Sequence, residues 1–329
     1  MSNLEKDPPE LVCSSLTAAS GVLGASIELL EPRMVPLGGP RAMTVRRTLP
    51  QRSRSLIGAW CFIDHYGPDD VATTGGMVVP PHPHTGLQTV SWLFAGEIEH
   101  RDSSGAHAMV RPGELNLMTA GGGIQHSEVS TPATTMLHGV QLWTALPDAA
   151  RHGAPFFETY APPVFEFEGA SVSVFLGSLL GHDSTATAFT PIVGAQLSLP
   201  AGTALDLPVD ASFEHGVLVD TGEVEVGGVL IPTAHLGYRA PGAARLSIRS
   251  GDEPARILLL GGTPFGEQIM MWWNFIGRRH EEVVGYRTQW QADVVGRGSD
   301  HGRFGAVHGY DGDPLPAPTL PNVRLRPRG

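Results

Sequence analysis

The sequence predicts an all-β protein made of two antiparallel β-barrel or sandwich domains, with one short helix near the C-terminal end. Glycine and proline are abundant, with 41 and 28 residues, whereas charged residues make up only 17% of the chain. This composition favours short strands joined by turns. One strand-turn-strand pattern occurs twice, and 329 residues are enough for two domains of ordinary size.

The repeated pattern is a hairpin with a glycine at its turn. Large apolar side chains recur at every second position of residues 90–94, as in a strand with two different faces, before a turn at Gly96-Glu97. The second copy runs through residues 217–219, a turn at Gly222-Glu223 and residues 224–226. Because the two turns are 126 residues apart, we expect two copies of one domain.

The division between the domains is expected near residue 160. Pro162 and Pro163 cannot donate to a continuing strand ladder, so this stretch suits a boundary. We therefore predict a flexible N-terminus over residues 1–22, a first barrel over 23–160 and a second barrel over 161–295.

One helix is expected over residues 279–291. Val283, Tyr286 and Trp290 follow a three-and-four spacing, and Glu281 and Glu282 lie in the first turn, where the helix dipole favours anions. Residues 296–329 are rich in glycine, proline and arginine and carry few large apolar side chains, so we expect a flexible tail there.

Charge and cysteine content narrow the possible partners and compartments. The net charge of −11 repels nucleic-acid phosphates and anionic membrane surfaces, so neither is an expected partner. No secretory signal and no apolar run of the roughly 18 residues that a spanning helix needs is visible, which predicts a cytoplasmic protein. Cys13 and Cys61 lack the spacing of a disulfide framework or a thiolate metal cage.

Histidines carry the strongest indication of chemistry. His82 and His84 are two residues apart, so both rings point to the same side of an extended strand. His126 and Glu128 share a face by the same rule. Three neutral imidazoles and a carboxylate suit a divalent first-row metal with positions left open for water, substrate or dioxygen.

Each of these features also has a plainer interpretation. A lone His-x-His pair is usually two solvent-facing strand histidines, and Glu128 on its own could be an exposed carboxylate. The glycines at 121–123 are not followed by the Lys-Ser/Thr of a phosphate loop, so a tight turn is expected there. His100, Asp102 and His107 could support a site or lie in surface loops, and the sequence leaves their roles open.

Several segments combine with the histidine runs into one family pattern. They are GAW at 58–60, FIDH at 62–65, HPHTGLQTVSW from His82, HRDS at 100–103, PGELNLMTAGGGIQHSE from Pro112 and WWNF at 272–275. Together they resemble the pirin family of the cupin superfamily, a far more specific pattern than a His-x-His pair. The resemblance implies a bicupin, two jelly-roll-like β-barrels with one metal in the first. The implied ligands are His82, His84, His126 and Glu128.

The chain departs from the general cupin pattern at one position. The cupin motif usually places a glutamate a few residues after His-x-His, where this chain has Gln88, so the carboxylate would come from Glu128. At the 126-residue offset, Pro208, Asp210 and Asp252 occupy the three histidine positions, so we expect the second barrel to hold no metal.

The resemblance implies a metal-dependent oxidoreductase similar to quercetin 2,3-dioxygenases. Such an enzyme uses iron(II) or another divalent first-row metal to open a flavonol-like aromatic with O2, and it releases carbon monoxide. Glu128 would be the catalytic base that takes the proton of the substrate hydroxyl. The alternative is an iron-dependent binding protein, a transcription co-regulator without turnover, which would use the same ligands and a protein partner. A zinc-type hydrolase fits less well, because no spare general base is evident near the ligands.

Overall fold

A computed structural model describes residues 27–36, 43–298 and 302–329, whose regular secondary structure is mostly β-strand. The predicted flexible N-terminus over residues 1–22, with Cys13, lies outside the described residues. The strands of the first half are β1 (Glu28–Leu30), β2 (Arg33–Pro36), β3 (Thr44–Leu49), β4 (Trp60–Asp70), β5 (Val78–His84), β6 (Leu87–Ala95), β7 (Ile98–Asp102), β8 (His107–Val110), β9 (Leu115–Thr119), β10 (Ile124–Ser130), β11 (Met136–Ala145) and β12 (Phe156–Tyr160).

The second half continues with strands and ends in a helix. Its strands are β13 (Val164–Phe167), β14 (Ala170–Leu179), β15 (His182–Asp183), β16 (Ile192–Leu199), β17 (Ala204–Pro208), β18 (Glu214–Thr221), β19 (Val224–Val226), β20 (Val229–Ile231), β21 (Leu236–Arg239), β22 (Arg245–Ser250), β23 (Ala255–Gly262), β24 (Met270–Trp272) and β25 (Phe275–Gly277). The helices are α1 (Val71–Thr74) and α2 (His280–Gln289), and the π-helical segment Trp290–Val295 follows α2 directly.

All described strands except β24 and β25, which pair with each other, form two barrels, each with one large and one small antiparallel sheet. In the first barrel, the seven-stranded sheet has the order β12-β9-β6-β11-β4-β3-β2 and the four-stranded sheet the order β5-β10-β7-β8. In the second barrel, the large sheet is β1-β21-β18-β23-β16-β14-β13, with β15 paired to β14, and the small sheet is β17-β22-β19-β20. Because these orders correspond position by position, the predicted duplication of one domain is confirmed.

The repeated hairpin marks the same turn in both barrels. Gly96 lies between β6 and β7 with a φ of +88°, and Gly222 lies between β18 and β19 with a φ of +71°. This left-handed region is strained for any residue with a side chain. The conformation of the turn therefore accounts for glycine in both copies.

The first described strand belongs to the second barrel. β1 pairs with β21, so that Glu28 lies opposite Tyr238 and Leu30 opposite Leu236, whereas β2 and β3 lie in the first barrel. β12 pairs with β9 in the first barrel, and the next strand, β13, lies in the second. The expected division at residue 160 stays a prediction, and nothing in the sequence pattern indicated that β1 crosses over.

The large sheet of the first barrel is buried on both faces. On one face, side chains such as Val90 and Trp92 pack against Phe175 and Leu258 of the second barrel. Trp92 and Phe175 stack with their ring centroids 4.8 Å apart. Residues of the opposite parity, such as Ser91, point into the first barrel. One face thus joins the two barrels, and the other lines an interior.

The predicted C-terminal helix is confirmed. α2 and the π-helical segment bury Val283, Tyr286 and Trp290, the three residues whose spacing predicted the helix. No helix among the residues that the structure describes is long and apolar enough to cross a membrane.

Residues 302–329, expected to be part of a flexible tail, are packed against the first barrel instead. Phe304, Ala317 and Leu325 are buried in one cluster with aromatic residues of β24, β25 and the helix. The backbone N–H of Leu315 donates to the carbonyl of Pro81 on β5 at 2.8 Å. The segment has few apolar residues, but those three are buried, which an average over its composition does not reveal.

Candidate metal centre

The paired strands β5 and β10 bring the predicted histidines together. The two strands are antiparallel, with His126 opposite His82 and Ile124 opposite His84. All three imidazoles are 0% exposed, so the interpretation of a solvent-facing pair does not hold. His82 and His84 are separated by Pro83 alone, so the two-residue period of the strand places both side chains on the same face, as the sequence indicated.

The three imidazoles meet at their ring nitrogens. His84 Nε2 is 3.1 Å from His126 Nε2, and the ring centroids of His82 and His126 are 4.3 Å apart. One ring nitrogen from each histidine lies within 4.8 Å of the others. Such proximity of three buried nitrogens suits a shared cation.

Burial keeps these histidines neutral. It lowers the pKa of His82 to about 3 and the pKa values of His84 and His126 well below their ordinary range. His82 Nδ1 donates to the carbonyl of Pro80 at 2.9 Å, which leaves Nε2 unprotonated and, among the described residues, without a hydrogen-bond partner. A neutral imidazole with an unused nitrogen is the form that a metal binds.

His100 and Asp102, whose roles the sequence left open, orient His126 from behind. His100 Nδ1 is 3.4 Å from His126 Nδ1, and His100 Nε2 donates to Asp102 Oδ2 at 3.0 Å. Burial by itself raises the pKa of Asp102, but hydrogen bonds from His100 and Ser104 outweigh it and the net direction is down. With Asp102 ionised, protons on His100 Nε2 and His126 Nδ1 leave His126 Nε2 unprotonated. His107 instead lies at the surface, 2.8 Å from Glu99.

Glu128 joins this group through His126. A second set of metal-capable side chains, His100, His126 and Glu128, shares His126 with the three-histidine set. Glu128 is buried, and its Oε1 is 3.3 Å from Ser91 Oγ on the facing sheet. The structure therefore brings all four predicted residues into one interior, and their role as metal ligands stays a prediction.

The glutamine that stands where cupins usually have glutamate is turned away from this group. Gln88 Nε2 donates to Thr119 Oγ1 at 2.9 Å and to the carbonyl of Thr187 at 3.0 Å, and its Oε1 accepts from Thr144. The glycines at 121–123 form the expected turn between β9 and β10. A side chain at Gly121, with a φ of +50°, would meet the carbonyl oxygen of Gly153.

Sequence reasoning missed a third polar cluster, which lies between the barrels. His65 and His138 of the first barrel contact Asp220 Oδ1 of the second at 2.7 and 2.6 Å, and Arg256 contacts Oδ2 at 2.6 Å. Hydrogen bonds within the cluster satisfy both oxygens of Asp220. His65 and Asp220 are 155 positions apart, and no local motif signals such a contact.

The donors inside the first barrel fit a divalent metal. Three neutral imidazole nitrogens and one carboxylate form a mixed nitrogen and oxygen set of the kind that first-row divalent ions prefer. The unpartnered His82 Nε2 supports this fit, because a buried nitrogen without a partner is otherwise costly.

Two duplicated barrels, with a buried group of histidine and carboxylate side chains in the first, define a bicupin. The Pirin family model matches residues 42–144, and the model of the Pirin C-terminal cupin domain matches residues 194–296. The chain belongs to the pirin family.

Similar proteins bear two kinds of name. A Pseudomonas aeruginosa protein with the provisional name quercetin 2,3-dioxygenase is 40% identical over 296 residues, 90% of this chain and 91% of its own. A pirin-like protein of Caulobacter vibrioides is 32% identical over 79% of this chain and 92% of its own. The crystal structure of quercetin 2,3-dioxygenase from Acinetobacter baumannii superimposes with a TM-score of 0.84 at 37% identity, covering 92% of this chain and 98% of that one.

Proposed function

We propose that this protein is a quercetin 2,3-dioxygenase-type enzyme that cleaves a flavonol-like aromatic with O2 at a divalent metal, with iron(II) as the first choice. The observation that carries the proposal is the convergence of three neutral imidazoles and a buried carboxylate inside one barrel. Relatives at 40% and 37% identity that bear the dioxygenase name support it.

His82, His84 and His126 would hold the metal, with Glu128 as the carboxylate beside them. When bound, the metal supplies a Lewis acid for a substrate oxygen and the redox chemistry that lets O2 react with a closed-shell aromatic. Asp102 and His100 keep His126 Nε2 unprotonated for this role.

Glu128 is the residue that would move a proton. Its carboxylate would take the proton of the substrate's enol hydroxyl, because the resulting anion has the higher electron density that attack by oxygen requires. Ser91 donates its one hydroxyl hydrogen to Gln141 Oε1 at 2.8 Å, so Ser91 Oγ can accept a hydrogen bond from Glu128 once Glu128 is protonated. Burial of the group also excludes water from the reacting atoms.

The proposal is tested by metal analysis of protein purified without added metal, followed by oxygen uptake with a panel of flavonols under that metal. We expect one O2 consumed and one carbon monoxide released per flavonol cleaved. Protein that binds the metal yet consumes no oxygen with any flavonol would contradict the enzyme and favour the iron-dependent co-regulator.

A further inference from the structure

A row of buried polar side chains crosses the large sheet of the first barrel. Asp64 lies opposite Gln141, Gln141 opposite Ser91, and Ser91 opposite Asn116, on the neighbouring strands β4, β11, β6 and β9. Directly opposed residues on neighbouring strands are about 5 Å apart, so these four residues form one continuous line, the polar row. All four are buried.

Two amides of the polar row have unused hydrogen-bonding groups. Within the described part of the chain, the side-chain oxygen and nitrogen of Asn116 have no hydrogen-bond partner, and Gln141 Nε2 has none either. Asp64, by contrast, is paired with Arg47 through two bonds of 2.6 and 2.8 Å. Buried amides without partners cost free energy, so their presence calls for a ligand that uses them.

The polar row lies next to the candidate metal centre. Ser91, in the middle of the row, is 3.3 Å from Glu128 Oε1, and the two amides lie on the strands to either side of Ser91. One step along the same face, Phe62 and Trp143 stack with ring centroids 3.9 Å apart, and the Trp143 ring is 5.1 Å from that of His84. A ligand at Glu128 would therefore meet an aromatic wall and two amides.

The second barrel shows that the fold does not need these polar groups. The equivalent positions follow from superposing the turns at Gly96 and Gly222 and counting along the strand registers. Those equivalent to Asp64, Gln141, Ser91 and Asn116 are Ala195, Leu259, Val217 and Gly237. Ala195, Leu259 and Val217 belong to the apolar core of that barrel. Apolar side chains thus suffice for the structural role of the row.

We infer that Asn116 and Gln141 bind oxygen substituents of the aromatic ligand, other than the oxygen pair held at the metal and Glu128. The inference rests on the proposed function and specifies its substrate class, a planar aromatic with several hydroxyl groups. Each amide offers both a donor and an acceptor, which matches hydroxyl groups in either role. A site with buried amides discriminates against an analogue that leaves them unpaired.

The test compares two ligands in the metal-loaded protein under anaerobic conditions. Quercetin carries ring hydroxyls, and 3-hydroxyflavone keeps the enol and carbonyl oxygens but lacks those hydroxyls. Asn116→Leu and Gln141→Met keep the side-chain volume and remove the amide. We expect both variants to retain metal and to bind quercetin about tenfold more weakly. Asn116→Leu should melt no lower than the wild type, whereas Gln141→Met should melt slightly lower, because it also loses the hydrogen bond from Ser91. Binding of 3-hydroxyflavone, followed by tryptophan fluorescence, should change little.

Gln88→Met is the matched control, because it makes the same replacement on the other face of β6. The Gln88 amide has protein partners in Thr119 and Thr187, so we expect a lower melting temperature and unchanged quercetin binding. Wild-type quercetin affinity in both amide variants would overturn the inference. A lowered melting temperature with loss of metal in both would overturn it as well, since the amides would then be structural.

Binding and turnover separate this inference from the proposed function. Quercetin binding without oxygen uptake counts against the reaction alone. Turnover that neither amide variant alters counts against the amide contacts alone. If the metal-loaded wild type binds no quercetin, both fail.

Discussion

The two barrels share one strand order, but the interior of the first carries a group of ionisable side chains where the interior of the second is apolar. The small sheet of the first barrel carries His82, His84, His126 and Glu128, all buried. Counted along the registers from the shared glycine turns, the equivalent positions in the second barrel are Leu207, Val209, Leu246 and Ile248. Val209 packs against the apolar core that the other three help to form.

This difference separates the requirements of the fold from those of the site. The same positions tolerate either ionisable or aliphatic side chains, so the histidines and Glu128 are not there to hold the sheets together. The fixed 126-residue offset pointed to Pro208, Asp210 and Asp252 instead. The second copy is one residue longer before the shared turn, which displaces the first two positions, and six residues shorter after it, which displaces the third. Asp210 and Asp252 are exposed. The absence of a metal from the second barrel stays a prediction, now attached to different residues.

The largest effect is expected at Glu128. Glu128→Gln keeps the shape and one acceptor oxygen but removes the charge that takes the proton. Flavonol turnover at full metal occupancy should fall by a factor on the order of 10²–10⁴, the usual worth of a positioned general base. Glu225→Gln, at an exposed position on β19 of the second barrel, is the control and should leave turnover unchanged. Undiminished turnover in Glu128→Gln would remove this residue from the mechanism.

Equivalent substitutions in the two barrels should have opposite consequences. His126→Ala should lose the metal and retain its circular dichroism spectrum, because apolar strand faces hold the barrel. Leu246→Ala should reduce the free energy of unfolding by about 2–5 kcal/mol, the cost of truncating a buried leucine, while its folded molecules keep the metal. Metal content and denaturant unfolding measured on both variants decide the matter. Full metal occupancy in His126→Ala would refute the assignment.

A smaller effect is expected at Asp102, which acts on His126 through His100. Asp102→Asn removes the charge that orients His100 and, through it, His126. Metal affinity should fall by about 10–100-fold, as for other residues that support a ligand, with little change in stability. Competition with a chelator measures this affinity. An unchanged affinity would show that the contact between His100 and His126 does not tune the site.

The smallest effect concerns His215, a buried polar residue of the second barrel. It is buried, and burial lowers its pKa to about 4, against about 6.5 in an unfolded chain. Between these values only the unfolded state binds the proton, so stability falls as the pH falls from 6.5 towards 4 and is unaffected above pH 7. From pH 6.5 to 5.5 the wild type should lose roughly 1 kcal/mol more than His215→Leu. Parallel profiles in denaturant unfolding would contradict this.

The local sequence pattern predicted the features that depend on residues close together in the sequence. The strand period placed His82 with His84, and the three-and-four spacing of Val283, Tyr286 and Trp290 predicted a buried helix face. The local pattern did not predict contacts between segments that are distant in the sequence. The pairing of β1 with β21, the cluster around Asp220 and the polar row all depend on registers that no single segment encodes. The packing of Phe304 against the helix was missed for the same reason, since composition does not reveal where a lone aromatic residue is buried.

The exchange of β1 bears on how the chain is made and how it can be cut. Glu28 leaves the ribosome about 200 residues before its partner Tyr238, which at 5–20 residues per second is a delay of about 10–40 s. The second barrel therefore closes its sheet only after synthesis has passed both copies. A protease nick at residues 161–163 would not release two independent halves, because the upstream fragment would still contribute a strand to the downstream one. The two barrels are thus connected by the pairing of β1 with β21 as well as by the linker.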